Sequence, residues 1–322
     1  MRQDIEPKKC NDISVKVSHD AHEHAHNISN WDQKYDQISA GRFQGVIKER
    51  LLDDLQVFKE HTSKALSQQC IVWPESIWLG IPPSNNNEYK SSKINGLKLN
   101  DDDIMCRPGC QSFELTTPES FDIFGIVMDQ KALNREAHKQ EIELNWHEIS
   151  NNERLSIPHS TKVAMDYLLG RVLDTSNIHI SSTPEHLTKD LLIMGLLDVF
   201  IKESPNRDIH NSYQRRKNIV DKARDFLNQH QEQAITLTEL CEACHTSRRT
   251  LQNSFETILG LSPIQYLRYT RLNGVRRTLK NAENNEKIGD IAAKWGFWHL
   301  SQFAKDYKIV FEESPKDTLN IL

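Results

Sequence analysis

Arg248, Arg249, Gln252 and Asn253 cluster near the end of the chain, and His299, Ser301, Gln302 and Lys305 cluster about 52 residues later. Arg and Lys donate to the guanine edge, Gln and Asn pair with adenine, and Ser serves either base. Their shared chemistry is the reading of base edges in DNA. It requires each set to lie on one exposed helix face, and the surrounding pattern supplies that face. Leu251-x₃-Phe255-x₄-Gly260-x-Ser262-Pro263 returns as Phe303-x₃-Tyr307-x₄-Glu312-x-Ser314-Pro315. Leu251 and Phe255, one helical turn apart, must face a core, so the four polar residues beside them face outward at the N-terminal end. Phe303, Tyr307 and Phe311 impose the same on the second set.

Each copy is preceded by a short amphipathic stretch, Leu237/Leu240 in one and Ile288/Ile291 in the other. Thr236 or Thr238 can cap the first, and Ser247 can cap the helix that follows. Gly260 suits the left-handed position that ends that helix. The unit is therefore a helix, a turn and a second helix, expected at about 236–260 and again at about 288–312. Between them Ser262-Pro263 starts a linker helix over 262–280, Ser at N-cap and Pro at N1. A rod of that length spans roughly 27 Å, somewhat short of the ~34 Å repeat of the duplex. It can set two recognition helices into successive groove faces, which implies a long, asymmetric site for one chain.

Charge agrees with this division. Residues 214–322 carry 17 Lys+Arg and 13 Asp+Glu, net +4, whereas the preceding part carries 23 and 32, net −9. Arg268, Arg271 and Arg276 are the expected phosphate partners, with Arg277 beside them. Arg271 could equally be a structural ion-pair residue.

Other chemistry is less defined. Cys241-x₂-Cys244 lies where a helix needs apolar residues, which favours packing over metal or redox work. Cys106-x₃-Cys110 flanks Pro108-Gly109 in an expected turn and has no second pair to complete a zinc site. His19, His22, His24 and His26 could take a transition metal, but residues 1–28 read more simply as a mobile polar tail. No nucleophile elbow, phosphate loop or His-Glu-x₂-His pattern is present, so no enzyme is expected. No apolar run approaches the ~20 residues of a membrane span. Met1-Arg2-Gln3-Asp4 opens no secretory signal, and six cysteines without regular pairing suit a cytoplasmic chain.

Residues 29–203 read as an effector-sensing and dimerisation domain, with 204–213 as a polar linker and 214–322 as the DNA-binding domain. From Trp31 to Leu66 the spacing of Leu52, Leu55, Val57 and Phe58 predicts helix. Cys70–Trp73, Ile77–Ile81, Ser112–Leu115 and Ile123–Met128 predict strands of a small barrel or sandwich, with Ser84–Asn87 a loop tip. Helices return over 129–203, where Leu187, Leu191, Met194, Leu196, Leu197 and Phe200 form one stripe, a dimer seam or internal packing. The fold class is α+β: a β-barrel or sandwich-like sensor with flanking helices, then an all-α domain. Trp73, Trp78, Phe113 and Phe124 could line an effector pocket with Glu114, Arg107 or Gln69 as its polar groups. Plain core packing explains the same aromatics.

The two copies, the run Gly260-x-Ser262-Pro263-x₂-Tyr266-Leu267-x₃-Arg271-Leu272 and the run Ile291-Ala292-x₂-Trp295-Gly296-Phe297 resemble the DNA-binding domain of the AraC/XylS family. Two departures stand out: Glu312 in place of Gly, and Trp298-His299 in place of a polar-Ser pair. Within that family the chain is similar to ethanolamine-utilisation operon regulators. Leu51–Phe58, Val72-Trp73-Pro74-x₃-Trp78-x-Gly80-Ile81-Pro82 and Arg107-Pro108-Gly109-x₃-Phe113-Glu114-Leu115 carry that likeness. It implies a transcriptional activator that answers ethanolamine with adenosylcobalamin. The expected mechanism is that the effector changes the orientation or the homodimerisation of the sensor, so that both readers dock and RNA polymerase is recruited. No corrinoid motif of the Asp-x-His-x₂-Gly kind is present. The alternatives are a regulator of another catabolic operon, an unregulated DNA binder, and a metal-dependent enzyme fused to a DNA-binding module.

Overall fold

The computed structural model describes residues 13–84, 92–174, 185–202, 211–230, 235–282 and 286–320. Asn85–Asn87 of the expected loop tip, residues 204–210 of the expected linker and 1–12 of the expected tail lie outside these. Residues 13–28 are ordered structure, not a mobile tail. They form strand β1 (Ser14–Ser18) and a short helix α1 (Ala21–His24), which Asp20 caps by accepting from the Glu23 amide. His24 is wholly buried there, 3.0 Å from Glu60.

Two antiparallel sheets make the N-terminal domain, the sensor expected from sequence. Strands β2 (Asp32–Gln37), β3 (Gly45–Leu52), β4 (Leu55–Thr62), β5 (Leu66–Ile71) and β6 (Ser76–Ile81) come first. After them come β7 (Lys93–Ile94), β8 (Leu97–Lys98), β9 (Asp103–Pro108), β10 (Phe113–Thr117), β11 (Phe121–Asp129) and β12 (Arg154–Ser156). The seven-stranded sheet runs β1-β3-β4-β11-β6-β9-β12 and the five-stranded sheet β2-β5-β10-β7-β8. They face each other as a sandwich and do not close into a barrel.

The helix expected over 31–66 is instead three strands and the start of a fourth. A two-residue turn at Asp53-Asp54 pairs Leu52 directly with Leu55, and Asp53 takes the left-handed conformation (φ 49°) that such a turn needs. Residues paired across a hairpin share a face, so Leu52 and Leu55 imitate the i, i+3 spacing of a helix.

Alternation within each strand makes two cores. Inward residues of both sheets, including Phe58, Trp78, Tyr35, Phe113 and Val127, meet in one cluster. The other face of the larger sheet, with Val57, Leu79 and Ile126, is covered by α2 (Gln130–Lys139), α3 (Trp146–Asn151), α4 (His159–Val172) and α5 (Glu185–Lys202). On α5 the buried face is Leu192, Ile193, Leu196, Leu197, Val199 and Phe200. Leu187, Leu191 and Met194 belong to its opposite, exposed face, so the single stripe expected from sequence divides into two.

The C-terminal domain is all helix: α6 (Asn211–Gln229), α7 (Leu237–Ala243), α8 (Arg248–Leu259), α9 (Pro263–Lys280), α10 (Ile288–Lys294), α11 (Leu300–Phe311) and α12 (Pro315–Leu319). Helix α9 serves two cores in turn. Tyr266 and Leu267, in its first half, pack with α6, α7 and α8. Leu272, Val275 and Leu279, in its second half, pack with α10 and α11. Among the described residues no helix is long and apolar enough to cross a membrane.

Candidate nucleic-acid interface

The first recognition helix is fixed at both ends by its own residues, whereas the second, α11, starts at His299 without a side-chain cap. Thr236 and Glu239 form a reciprocal capping box at the start of α7, and Ser247 accepts from the Thr250 amide at the start of α8. Gly260 closes α8 in the left-handed conformation (φ 76°). In the second unit Glu312 takes the same conformation (φ 54°) at the end of α11. The substitution of Glu for Gly therefore leaves the cap geometry in place, against the steric preference for glycine. Ser262 and Gln265 form a capping box at the start of α9, with Pro263 in the first turn.

The outward faces carry the expected side chains. Leu251, Phe255 and Ile258 are buried on α8, while Arg248, Arg249 and Asn253 are exposed and Gln252 is half-buried, donating to Glu256. On α11, Phe303, Tyr307 and Phe311 are buried and Ser301, Gln302 and Lys305 are exposed; His299 is its exposed N-cap. Trp298, beside it, is 73% exposed, which an apolar turn residue without a surface to meet would not favour.

The sensor holds the opposite ends of these helices. The outer face of β2 and β5 lies against α6 and α9: Arg277 pairs with Asp36 at 2.6 Å, and Arg224 pairs with Glu114 and donates to Ser67. Asn273 exchanges hydrogen bonds with the Gln37 backbone at 3.1 and 2.9 Å. At the end of α8, Lys93 donates to the Thr257 carbonyl at 2.9 Å. At the end of α11, Gln37 and the Gly41 amide both donate to the Val310 carbonyl. Donors, one of them cationic, thus meet the negative ends of both dipoles, and the positive ends with the polar side chains stay free.

The candidate phosphate ligands are placed differently from one another. Arg268 is about half exposed and pairs with Asp306 at 2.5 Å, tying α9 to α11. Arg271 is half-buried and donates to the Ile235 carbonyl, the structural role left open by its sequence position. Arg276 does not face solvent. It is buried between Asp20 at 2.5 Å and Glu313 at 2.6 Å, with its guanidinium over the Phe311 ring. Lys280 adds contacts to Asp20 and Glu23. Basic residues of this half of α9 are engaged by the acidic sensor, which sequence charge alone did not distinguish from phosphate contact.

The expected effector pocket is also rearranged. Trp78 and Phe113 are both 1% exposed and stack at 4.8 Å, with Trp31 edge-on to each, so they are packed core rather than pocket lining. Trp73 lies at the margin of that cluster, and Glu114 turns to the opposite face to meet Arg224. Arg107 is held by Glu153 and Gln111. The same interior contains polar groups that the sequence did not single out. Gln33, Gln68 and Thr62 are buried with Oε1, Oε1 and Oγ1 atoms that have no hydrogen-bond partner. Such groups are costly unless something satisfies them. Tyr35 and Glu60 lie among them, burial and then Glu60 pushing the Tyr35 hydroxyl well up.

The cysteine and histidine motifs are dispersed. Cys244 is core, its thiol pushed up to about 11 by burial and then by Cys241, so no thiolate forms near neutrality. Cys106 is buried in strand β9 and Cys110 is exposed beyond it. His22 and His26 touch edge-to-face while His24 points into the core. Among the described residues no group of three His, Cys, Asp or Glu is placed to hold a metal.

Residues 240–321 match the model of a helix-turn-helix domain. The XylDLEGF operon transcriptional activator 1 of Pseudomonas putida is 29% identical over 222 residues, 67% of this chain and 66% of its own length. The XylDLEGF operon transcriptional activator 2 of the same organism is 36% identical over 97 residues, 30% of this chain and 62% of its own. The matches therefore span just under two thirds of those relatives. The crystal structure of ToxT from Vibrio cholerae O395 aligns over 92% of this chain and 99% of its own at 16% identity, with a TM-score of 0.31. Fold and exposed face define a helix-turn-helix DNA-binding protein. Residues 240–321 thus carry a helix-turn-helix domain, and the relatives matched over part of this chain are operon transcriptional activators.

Proposed function

We propose that the chain is a transcriptional activator that sets α8 and α11 into successive major-groove faces of one long operator. The carrying observation is that two equivalent units each bury an apolar stripe and leave polar side chains exposed at the N-terminal end of the second helix. Arg248, Arg249, Gln252 and Asn253 read one segment, and His299, Ser301, Gln302 and Lys305 the other. Arg268 and Arg271 contribute phosphate contacts by shifting from Asp306 and Ile235. Arg276 joins them only if the sensor releases it. The 18-residue α9, roughly 27 Å long, sets the separation. Operator selection from random duplexes tests this: a site of two separated segments is expected, and a single short segment contradicts it.

The sensor side of the proposal is a cytoplasmic, effector-gated homodimer that recruits RNA polymerase once both units dock. Its effector is ethanolamine with adenosylcobalamin, on the strength of the sequence runs quoted above. The sandwich interior supports the amine half. Unpaired Gln33 and Gln68 carbonyl oxygens share the inward face of the smaller sheet with Tyr35, and Glu60 lies opposite. Acceptors and a carboxylate are what a small protonated amine needs. The corrinoid half has no such support: His24, the histidine of this interior, is fully buried with its Nε2 3.0 Å from Glu60. Adenosylcobalamin therefore rests on sequence similarity alone. Calorimetry of the full chain with each compound, singly and together, decides: heat with ethanolamine is expected, and none with either removes this effector.

A further inference from the structure

Helix α11 exposes apolar side chains on the face that carries its polar readers. Trp298 is 73% exposed and Leu300 50% exposed, on either side of the N-cap His299. Ala304 is exposed one turn after Leu300, beside Ser301 and Lys305. Local geometry puts them there. Gly296 turns in the left-handed conformation (φ 81°) and Phe297 packs on Phe303 at 5.0 Å, so the next residue, Trp298, is carried outward. Leu300 is braced from one side: a Cβ added to Gly289 of α10 would stand 3.3 Å from its Cδ1. Neither Trp298 nor Leu300 belongs to the core beneath them, which α9, α10 and α11 share.

Apolar groups gathered at the surface call for something to cover them, and the charges around them say what. From Leu300 to Phe311 the sequence holds one carboxylate, Asp306. That carboxylate is buried and held by Arg268 and Gln302, whereas Lys305 and Lys308 are exposed. The surface is apolar in part, cationic at its margin and continuous with Ser301 and Gln302, which suits the floor and walls of a DNA groove. In the major groove the apolar feature of a base pair is the thymine 5-methyl group, which takes contact from Ala or an aromatic ring. Helix α8 differs. Its exposed N-terminal positions are Arg248, Arg249 and Asn253, and among the described residues it exposes no large apolar side chain.

We propose that the second unit selects thymine by its 5-methyl group, with Leu300 and Ala304 against methyls inside the groove and the Trp298 ring against one at its edge. The first unit selects its bases by hydrogen bonds instead. This rests on the reading above, that α11 enters the major groove, and adds which base it prefers there and through which atoms.

The test is fluorescence anisotropy of the full chain on its selected operator, each thymine replaced in turn by deoxyuridine, which removes the methyl alone. In the segment read by α11, one or more replacements should weaken binding roughly fourfold each, the worth of one buried methyl group. Replacements in the other segment should be near neutral. Trp298→Ala, at a largely exposed position that leaves the fold intact, should erase the preference at one thymine, and Trp298→Phe should keep it. Trp298→Ala with Leu300→Ala should erase it at a second. Lys305→Ala separates the two claims: it should weaken the operator and leave the thymine preference in place. If Lys305→Ala changes nothing, α11 is not in the groove and both readings fall. If Lys305→Ala weakens the operator, three results overturn the present proposal alone: equal binding of thymine and uracil duplexes, a preference unchanged in the alanine variants, or one spread evenly over both segments.

Discussion

At the scale of single residues, exposure decides which polar side chains are available and which are already spoken for. Arg249 is exposed on α8 and has no partner among the described residues, so its removal should be felt only by DNA. Arg249→Ala should weaken the selected operator by about 1–3 kcal/mol and relax one base position, leaving random DNA nearly unaffected. Equal loss on both duplexes, read by fluorescence anisotropy, contradicts the proposed orientation. Glu312 makes the opposite kind of prediction. Its left-handed backbone costs a residue with a Cβ about 1 kcal/mol relative to glycine, so Glu312→Gly should raise the unfolding free energy from denaturant titration by about 1 kcal/mol. A drop would mean that the Glu312 side chain is itself needed.

At the scale of elements, α9 carries the molecule. Its Gly274 lies against the Trp295 ring, where an added Cβ would come within 2.3 Å of the indole. Gly274→Ala should therefore unseat the second unit and cost a few kcal/mol, seen as an early transition in thermal unfolding with loss of operator affinity. The contact between α9 and the sensor has a pH signature. Burial alone would raise the Asp20 carboxyl, but Arg276 and then Lys280 overcome it and hold it at about 2, below the ordinary 3.8. A depressed acid stabilises above its unfolded pKa and ceases to as pH falls through the folded one. About 2 kcal/mol of stability should thus be intact above about pH 4 and vanish near pH 2. Denaturant midpoints of wild type and Asp20→Asn should differ at about pH 6 and converge at the acid end; a constant gap contradicts the ion pair.

These elements also show what the chain reveals of itself. Ser262-Pro263 and the Leu251/Phe255 stripe are local signals, a cap and a 3.6 period, and the helices follow them. Leu52 and Leu55 misled because a hairpin brings together residues whose spacing also fits a helix turn. Arg276 and Asp20 are 256 residues apart, and no periodicity reports a pairing between domains. Ile77–Ile81 and Ile123–Met128 are legible as strands because their β-branched and aromatic runs are short and bounded by turn residues, whereas of Cys70–Trp73 only Cys70 and Ile71 belong to a strand. The interior polar set was not, since Gln33 and Gln68 look like any exposed strand residues until the sheets are assembled.

At the scale of the whole molecule, the sensor, α9 and the paired readers form layers with one apolar face left over. Leu187, Leu191 and Met194 on α5 are 46%, 52% and 57% exposed at near-heptad spacing, the arrangement of a helix that pairs with another copy. In sedimentation velocity the wild type is expected to run as a dimer and Leu191→Glu with Met194→Glu as a monomer; no difference between them would make the face plain surface. The central claim is that two reading helices are held a fixed distance apart and dock together. Hydroxyl-radical footprinting of one operator by the full chain tests it most directly. Two protected segments about one helical turn apart are expected, both lost when α9 is disrupted by Gly274→Ala. One short protected patch at saturating protein would contradict it.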